Sequence, residues 1–108
     1  MSDGFAQYIT DCLIPFGKVT SRKMFGGYGV YLDGTIVGLI ADDVFYLKAN
    51  KKTESEFEKI GSKPFEYSRD GKKYNMSYWH VSEDMLESPD ELKFYVELAY
   101  QASLETKN

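Results

Sequence analysis

Residues 30–48 read VYLDGTIVGLIADDVFYLK, and this stretch decides the fold. Val30-Tyr31-Leu32, Thr35-Ile36-Val37 with Leu39-Ile40, and Val44-Phe45-Tyr46-Leu47 are short runs rich in β-branched and aromatic residues. Asp33-Gly34 and Asp42-Asp43 separate them. Such runs are strands, and Asp-Gly suits the primed turn whose twist matches two paired antiparallel strands. Asp42-Asp43 is read as a second reversal of the same kind. Upstream, Arg22-Lys23-Met24-Phe25 is extended and leads into Gly26-Gly27-Tyr28-Gly29, where three glycines in four residues predict a bulge or a sharp bend. About three strands are expected over residues 19–48.

Helices flank this block. On the N-terminal side Phe5, Tyr8, Ile9, Cys12, Leu13 and Phe16 recur at the spacing of one helical face, with Gln7, Thr10 and Asp11 opposite. Ser2 or Asp3 is its expected cap, and Pro15 and Gly17 mark its end. On the other side Thr53 with Glu56 predicts a capping box for a short charged helix, stopped by Gly61 and Pro64, whose apolar contacts are Phe57 and Ile60. Asp70-Gly71 then joins Pro64-Phe65-Glu66-Tyr67 to Tyr74-Asn75-Met76-Ser77-Tyr78 as a hairpin. Ser88-Pro89-Asp90-Glu91 opens a last helix with Leu92, Tyr95, Val96, Ala99 and Ala102 or Ser103 on one face. The expected fold is α+β in two layers, helix–three strands–helix–two strands–helix. Its sheet is antiparallel, with helices on one face and the other face open.

Composition bounds the rest. At 108 residues, 43% hydrophobic, the chain is expected to form one domain over residues 1–108. Thirteen Lys plus Arg against 17 Asp plus Glu leave a net charge of −4, a weak balance for a protein that binds phosphates through cations. The charge is local. From Ser82 to Asn108 seven acids face Lys93 and Lys107, a balance of −5 that leaves +1 for the remainder. One cysteine, Cys12, cannot close an internal disulfide, and with His80, the single histidine, it cannot complete a zinc site, so no metal or cofactor is expected. Asp3 stands where an export signal needs basic residues, and no apolar run reaches membrane-span length. The expectation is a cytoplasmic protein without membrane contact.

Each candidate site has a plainer structural reading. The glycines Gly26, Gly27 and Gly29 lead into a strand, whereas a phosphate loop must open a helix, so they are read as turn residues. The run from Lys23 to Tyr31 echoes the strand with which RNA-recognition modules stack bases. Methionine stands where that motif has its first glycine, however, and the order of elements differs. Cys12 lies on an apolar helix face, where a thiol is unreactive. His80, with Glu83 or Asp84 nearby in sequence, lacks a nucleophile at a telling spacing. No catalytic residues are assigned, and the protein is not expected to be an enzyme.

Three stretches carry a family resemblance: Arg22-Lys23-Met24-Phe25-Gly26-Gly27-Tyr28-Gly29-Val30-Tyr31, Gly38-Leu39-Ile40-Ala41-Asp42-Asp43-Val44-Phe45-Tyr46-Leu47-Lys48, and Met76-Ser77-Tyr78-Trp79-His80-Val81 followed by Ser88-Pro89-Asp90-Glu91-Leu92. In order and spacing the chain resembles the TfoX (Sxy) N-terminal domain. The resemblance implies an α+β fold similar to that of secretion chaperones. It also implies kinship with regulators that promote DNA-uptake genes together with a cyclic-AMP-responsive activator, in which a second helical domain follows this one. This sequence ends at Asn108, and the expectation is a stand-alone domain that interacts with a protein partner in transcriptional regulation, with homodimerisation through a strand edge or sheet face. The alternative is direct nucleic-acid binding through Arg22, Lys23 and exposed aromatics. The candidate interaction residues are Arg22, Lys23, Phe25, Gly26, Gly27, Tyr28, Tyr31, Trp79 and His80.

Overall fold

Turn chemistry builds the sheet. In the computed structural model, which describes residues 2–24 and 26–106, Asp33 and Gly34 hold φ of 50° and 83°, Asp42 and Asp43 51° and 59°, and Asp70 and Gly71 53° and 77°. Paired left-handed angles define the primed turn whose twist suits antiparallel neighbours. The strands are β1 (Val19–Met24), β2 (Gly27–Leu32), β3 (Thr35–Ala41), β4 (Val44–Lys48), β5 (Pro64–Arg69) and β6 (Lys72–Val81). They form one antiparallel sheet in the order β1-β2-β3-β4-β6-β5.

The α+β class and the antiparallel sheet agree with the sequence reading, but four strands, not about three, precede the second helix. Residues 19–24 pair along the whole of β2, with Met24 opposite Gly27. The glycine run therefore makes a tight hairpin, with Gly26 at φ 82°. The bulge lies further on: Val30 faces Gly38 and Tyr31 faces Ile36, which leaves Val37 as the extra residue.

The helices are α1 (Ser2–Leu13), followed by a 3₁₀ turn at Ile14–Phe16, then α2 (Glu54–Lys59), α3 (Glu83–Leu86) and α4 (Pro89–Thr106). Helix α3 is an addition to the expected order. Its cap is Ser82, whose Oγ accepts from the Met85 amide at 3.1 Å, and it buries Met85 and Leu86. Helix α2 does not start with the predicted capping box. Thr53 is already helical and makes no side-chain cap bond. Instead Asn50 Oδ1 accepts from the amides of Lys52 (3.0 Å) and Thr53 (3.1 Å), and Thr53 Oγ1 accepts from the Asn50 amide. Asparagine bonding to backbone two and three residues on is a local turn that competes with the cap three residues later. The end of α2 is as expected: Gly61 at φ 77° lets its own amide reach Glu58 O and the Ser62 amide reach Phe57 O, the paired bonds of a glycine-closed helix.

All the described helices serve one core. Helix α4 crosses β3 and β4, α1 lies on β1 and β2, and α3 packs on α4. From α4, Leu92, Tyr95, Val96, Ala99, Ala102 and Ser103 are buried, as the periodicity predicts, and from α1, Ala6, Ile9 and Leu13 are. Tyr8 on α1 and Ile60 after α2 are instead exposed. Phe57 is the buried side chain of α2, stacked on Trp79 at 6.1 Å and tilted against Tyr95 at 5.0 Å, and the Tyr95 hydroxyl donates to the Glu56 carbonyl at 3.1 Å. Strand alternation sends Tyr28, Val30, Leu32, Val37, Ile40, Phe45, Leu47, Trp79 and Val81 into this layer. The cap side chains at Ser2 and Asp3 lie outside the described residues.

Candidate functional site

Alternation that fills the core must also furnish the opposite face. Register places Arg22 opposite Gly29, Tyr31 opposite Ile36, Leu39 opposite Tyr46, Tyr46 opposite His80 and Lys48 opposite Tyr78. Directly opposed residues share a face, so these side chains stand together on the side away from the helices. Met24, Phe65 and Met76 join them around a cavity of about 440 Å³, also lined by Ile36, Leu39 and Tyr78. Most of these side chains are half-buried, and Tyr78 is only 8% exposed although no helix covers it.

Glycines make room for this surface. A Cβ on Gly27 would fall on the Ile40 carbonyl oxygen, and one on Gly29 would meet Met24 Cε at 2.6 Å. Small residues here let β2 lie close to its neighbours while Met24 and Tyr31 cover the gap.

Two cations sit over aromatic rings: Arg22 Cζ lies 5.6 Å from the centre of Tyr31, and Lys48 Nζ 5.0 Å from that of Tyr78. Desolvation shifts three titrating groups of this face, Lys48, Tyr78 and Tyr46. It lowers the Lys48 pKa, raises that of Tyr78 with a smaller contribution from Tyr31, and raises that of Tyr46 with a smaller contribution from Asp42. The Tyr46 ring meets Phe65 edge-on at 4.9 Å and His80 at 6.1 Å.

The residues singled out in the sequence divide between the two sides of the sheet. Arg22, Tyr31 and His80 stand on the open face. Tyr28 (9% exposed) and Trp79 (6%) point into the core, and Lys23, opposite Tyr28, belongs to the helix side of the edge strand. Gly26 and Gly27 shape the hairpin, and Phe25 lies outside the described residues. Trp79 Nε1 is buried with no hydrogen-bond partner among the described residues, a cost of packing the ring on Phe57. A catalytic grouping of Gly26 and Gly27 with Tyr28 and His80 is not assembled. Gly26 and Gly27 border the open-face cavity and Tyr28 turns its ring to the core behind it, whereas His80 lines another cavity with Asp43, Glu83 and Asp84. Cys12 is half-buried and burial pushes its pKa up, which keeps the thiol protonated.

Sequence reasoning passes over Met24, Ile36, Leu39, Lys48, Phe65, Met76 and Tyr78. The signal is present as period-two alternation: Met24 is two residues from Arg22, Lys48 two from Tyr46, and Met76 and Tyr78 continue the phase of His80. Grouping residues by adjacency in sequence misses it, because neighbours along a strand stand on opposite faces.

Helices on one side of a six-stranded antiparallel sheet, with an aromatic and cationic surface on the other, define a two-layer α+β fold with an open sheet face. Residues 11–103 match the TfoX N-terminal domain, and the chain belongs to that family. It is 25% identical over 87 residues to the DNA transformation protein TfoX1 of Aliivibrio fischeri (strain ATCC 700601 / ES114), a match covering 81% of this chain and 42% of that protein. It is 23% identical over 96 residues to Protein Sxy of Escherichia coli (strain K12), covering 89% of this chain and 46% of that protein. The chain thus spans under half the length of both curated relatives. No helix among the described residues is long and apolar enough to cross a membrane.

Proposed function

We propose that this chain is a cytoplasmic protein-interaction module of transcriptional regulation rather than an enzyme. The observation that carries the reading is the half-buried aromatic and aliphatic surface left uncovered by the helices, since a contiguous exposed apolar surface marks an interaction site. Family membership and the name of the Aliivibrio relative, a DNA transformation protein, point the regulation toward genes of DNA uptake. An affinity pull-down from the native cytoplasm is expected to return one protein reproducibly above a bead-only control. Return of none sinks the reading. Self-association through the edge of β1 belongs to the same proposal, and light scattering that finds only a 12.4 kDa species removes it.

Direct nucleic-acid binding is the second reading, favoured by Arg22, Tyr31 and Lys48 on one face. It demands an affinity that falls steeply with salt. Unchanged anisotropy of labelled single-stranded DNA and RNA at low ionic strength disposes of it.

A further inference from the structure

We propose that the open sheet face binds an acidic amphipathic segment of another protein, seating a bulky apolar side chain in the cavity and directing carboxylates to Arg22 and Lys48. The inference rests on the protein-interaction reading and names the surface and the chemistry of its partner.

Shape provides the first argument. The 440 Å³ cavity is walled chiefly by Met24, Ile36, Leu39, Phe65, Met76 and Tyr78, with Asp42 and the Gly26-Gly27 backbone at its edge, so most of the contact it offers is apolar. That is the chemistry of a socket for an apolar anchor, and two methionines let its wall adapt to the anchor's outline.

Charge provides the second. The open-face positions of β1 and β4 carry Arg22 and Lys48, neither of which has a carboxylate partner among the described residues; the ion pairs found are Lys52 with Glu105 and Lys59 with Glu56. Glu54, Glu56 and Glu58 on α2 and Asp90, Glu91, Glu97 and Glu105 on α4 belong to the helix layer on the other side, while Glu83 and Asp84 of α3 gather with Asp43 around the separate cavity beside His80. Asp42, at the start of the β3–β4 turn, is the acid on the cavity rim. A negatively charged segment therefore meets unpaired cations here. Two copies of this face brought together would oppose like charges, which disfavours a face-to-face dimer.

Ring accessibility separates this partner from a nucleic acid. Arg22 already covers Tyr31, Lys48 covers a Tyr78 that is 8% exposed, and Tyr46 is engaged by Phe65. Base stacking needs free ring faces, and each of these rings already has a face or an edge engaged within the chain.

The test titrates the isotope-labelled full chain with three probes: a short helix-forming peptide bearing a Leu and Phe stripe among glutamates, the same peptide with lysines for the glutamates, and oligothymidylate. The glutamate peptide is expected to shift the amides of Ile36, Leu39, Met76 and Tyr78, with its lysine counterpart leaving them in place. Lys48→Glu and, separately, Leu39→Ser should each weaken binding by about tenfold, the scale expected for reversing one charge or removing one apolar side chain at an interface, with the circular dichroism spectrum retained. Three results overturn the proposal: no shift with the glutamate peptide, shifts confined to the helix layer, or oligothymidylate moving these amides in its place. If the peptide misses the face while Leu39→Ser captures the same cytoplasmic protein as the wild type, the inference falls and the interaction reading stands. If the wild type captures nothing, that broader reading falls by itself.

Discussion

Gly27 and Gly29 are two residues apart on the same strand face, yet a methyl group at each meets a different obstacle. At Gly27 it strikes the Ile40 carbonyl, backbone held in the β2–β3 ladder; at Gly29 it strikes Met24 Cε, the free end of a flexible chain. Gly27→Ala should therefore cost about 3 kcal/mol and Gly29→Ala less than about 1 kcal/mol, as overpacking is severe only where the neighbour cannot move. Urea denaturation of the two variants measures the difference, and equal losses would contradict it. Tyr78 carries a pH prediction. Burial raises its pKa in the folded protein, so the neutral phenol is favoured by folding. Its contribution is complete below the unfolded tyrosine value of about 10 and is lost as pH rises through the higher folded value. Lys48 shifts the other way over its ring, so the relevant quantity is the difference between proteins. Wild type should lose stability more steeply above about pH 10 than Tyr78→Phe does, and parallel curves would refute the assignment.

At the scale of elements, α2 shows how a local bond displaces a sequence motif. The pair Thr53 and Glu56 has the spacing of a capping box, but Asn50 reaches the Lys52 and Thr53 amides first, and Thr53 Oγ1 turns back to the Asn50 amide. Glu56 is left to pair with Lys59 at 3.3 Å, a partly exposed contact. Asn50→Ala is expected to destabilise the protein by about 1 kcal/mol, the usual worth of a cap, and Glu56→Ala by no more than a few tenths, the worth of a surface pair. Thermal denaturation of the two variants ranks them, and the reverse order would restore the capping box. The hairpins show the opposite case. Asp33-Gly34, Asp42-Asp43 and Asp70-Gly71 were legible because a primed turn is decided by the angles of its two residues, with no help from distant packing.

Across the whole molecule, α1, α3, α4 and the sheet bury side chains in one cluster that includes Trp79, the single tryptophan. Heat or urea should therefore unfold the described structure in one transition. Leu13→Ala from α1 and Leu92→Ala from α4, both about 1% exposed or less, should each lower stability by about 2–5 kcal/mol and move the same transition. Trp79 fluorescence and far-ultraviolet circular dichroism check this together. Separate midpoints for the two probes would show that the helices and sheet do not share a cooperative core.

The sequence by itself determined the α+β class, the antiparallel hairpins, the buried stripe of α4 and the family kinship, because turn angles and helical periodicity are properties of residues near one another in the chain. It did not reveal the fourth strand before α2: residues 19–24 lack a strong apolar alternation and become a strand through pairing with β2. Nor did it show that Tyr28 and Trp79 leave the candidate surface while Leu39, Lys48, Met76 and Tyr78 enter it. That division depends on which side of the sheet the helices cover. Burying the apolar face of α4 against β3 and β4 and that of α1 against β1 and β2 settles it for every strand at once, since each side chain must follow the phase of its own strand.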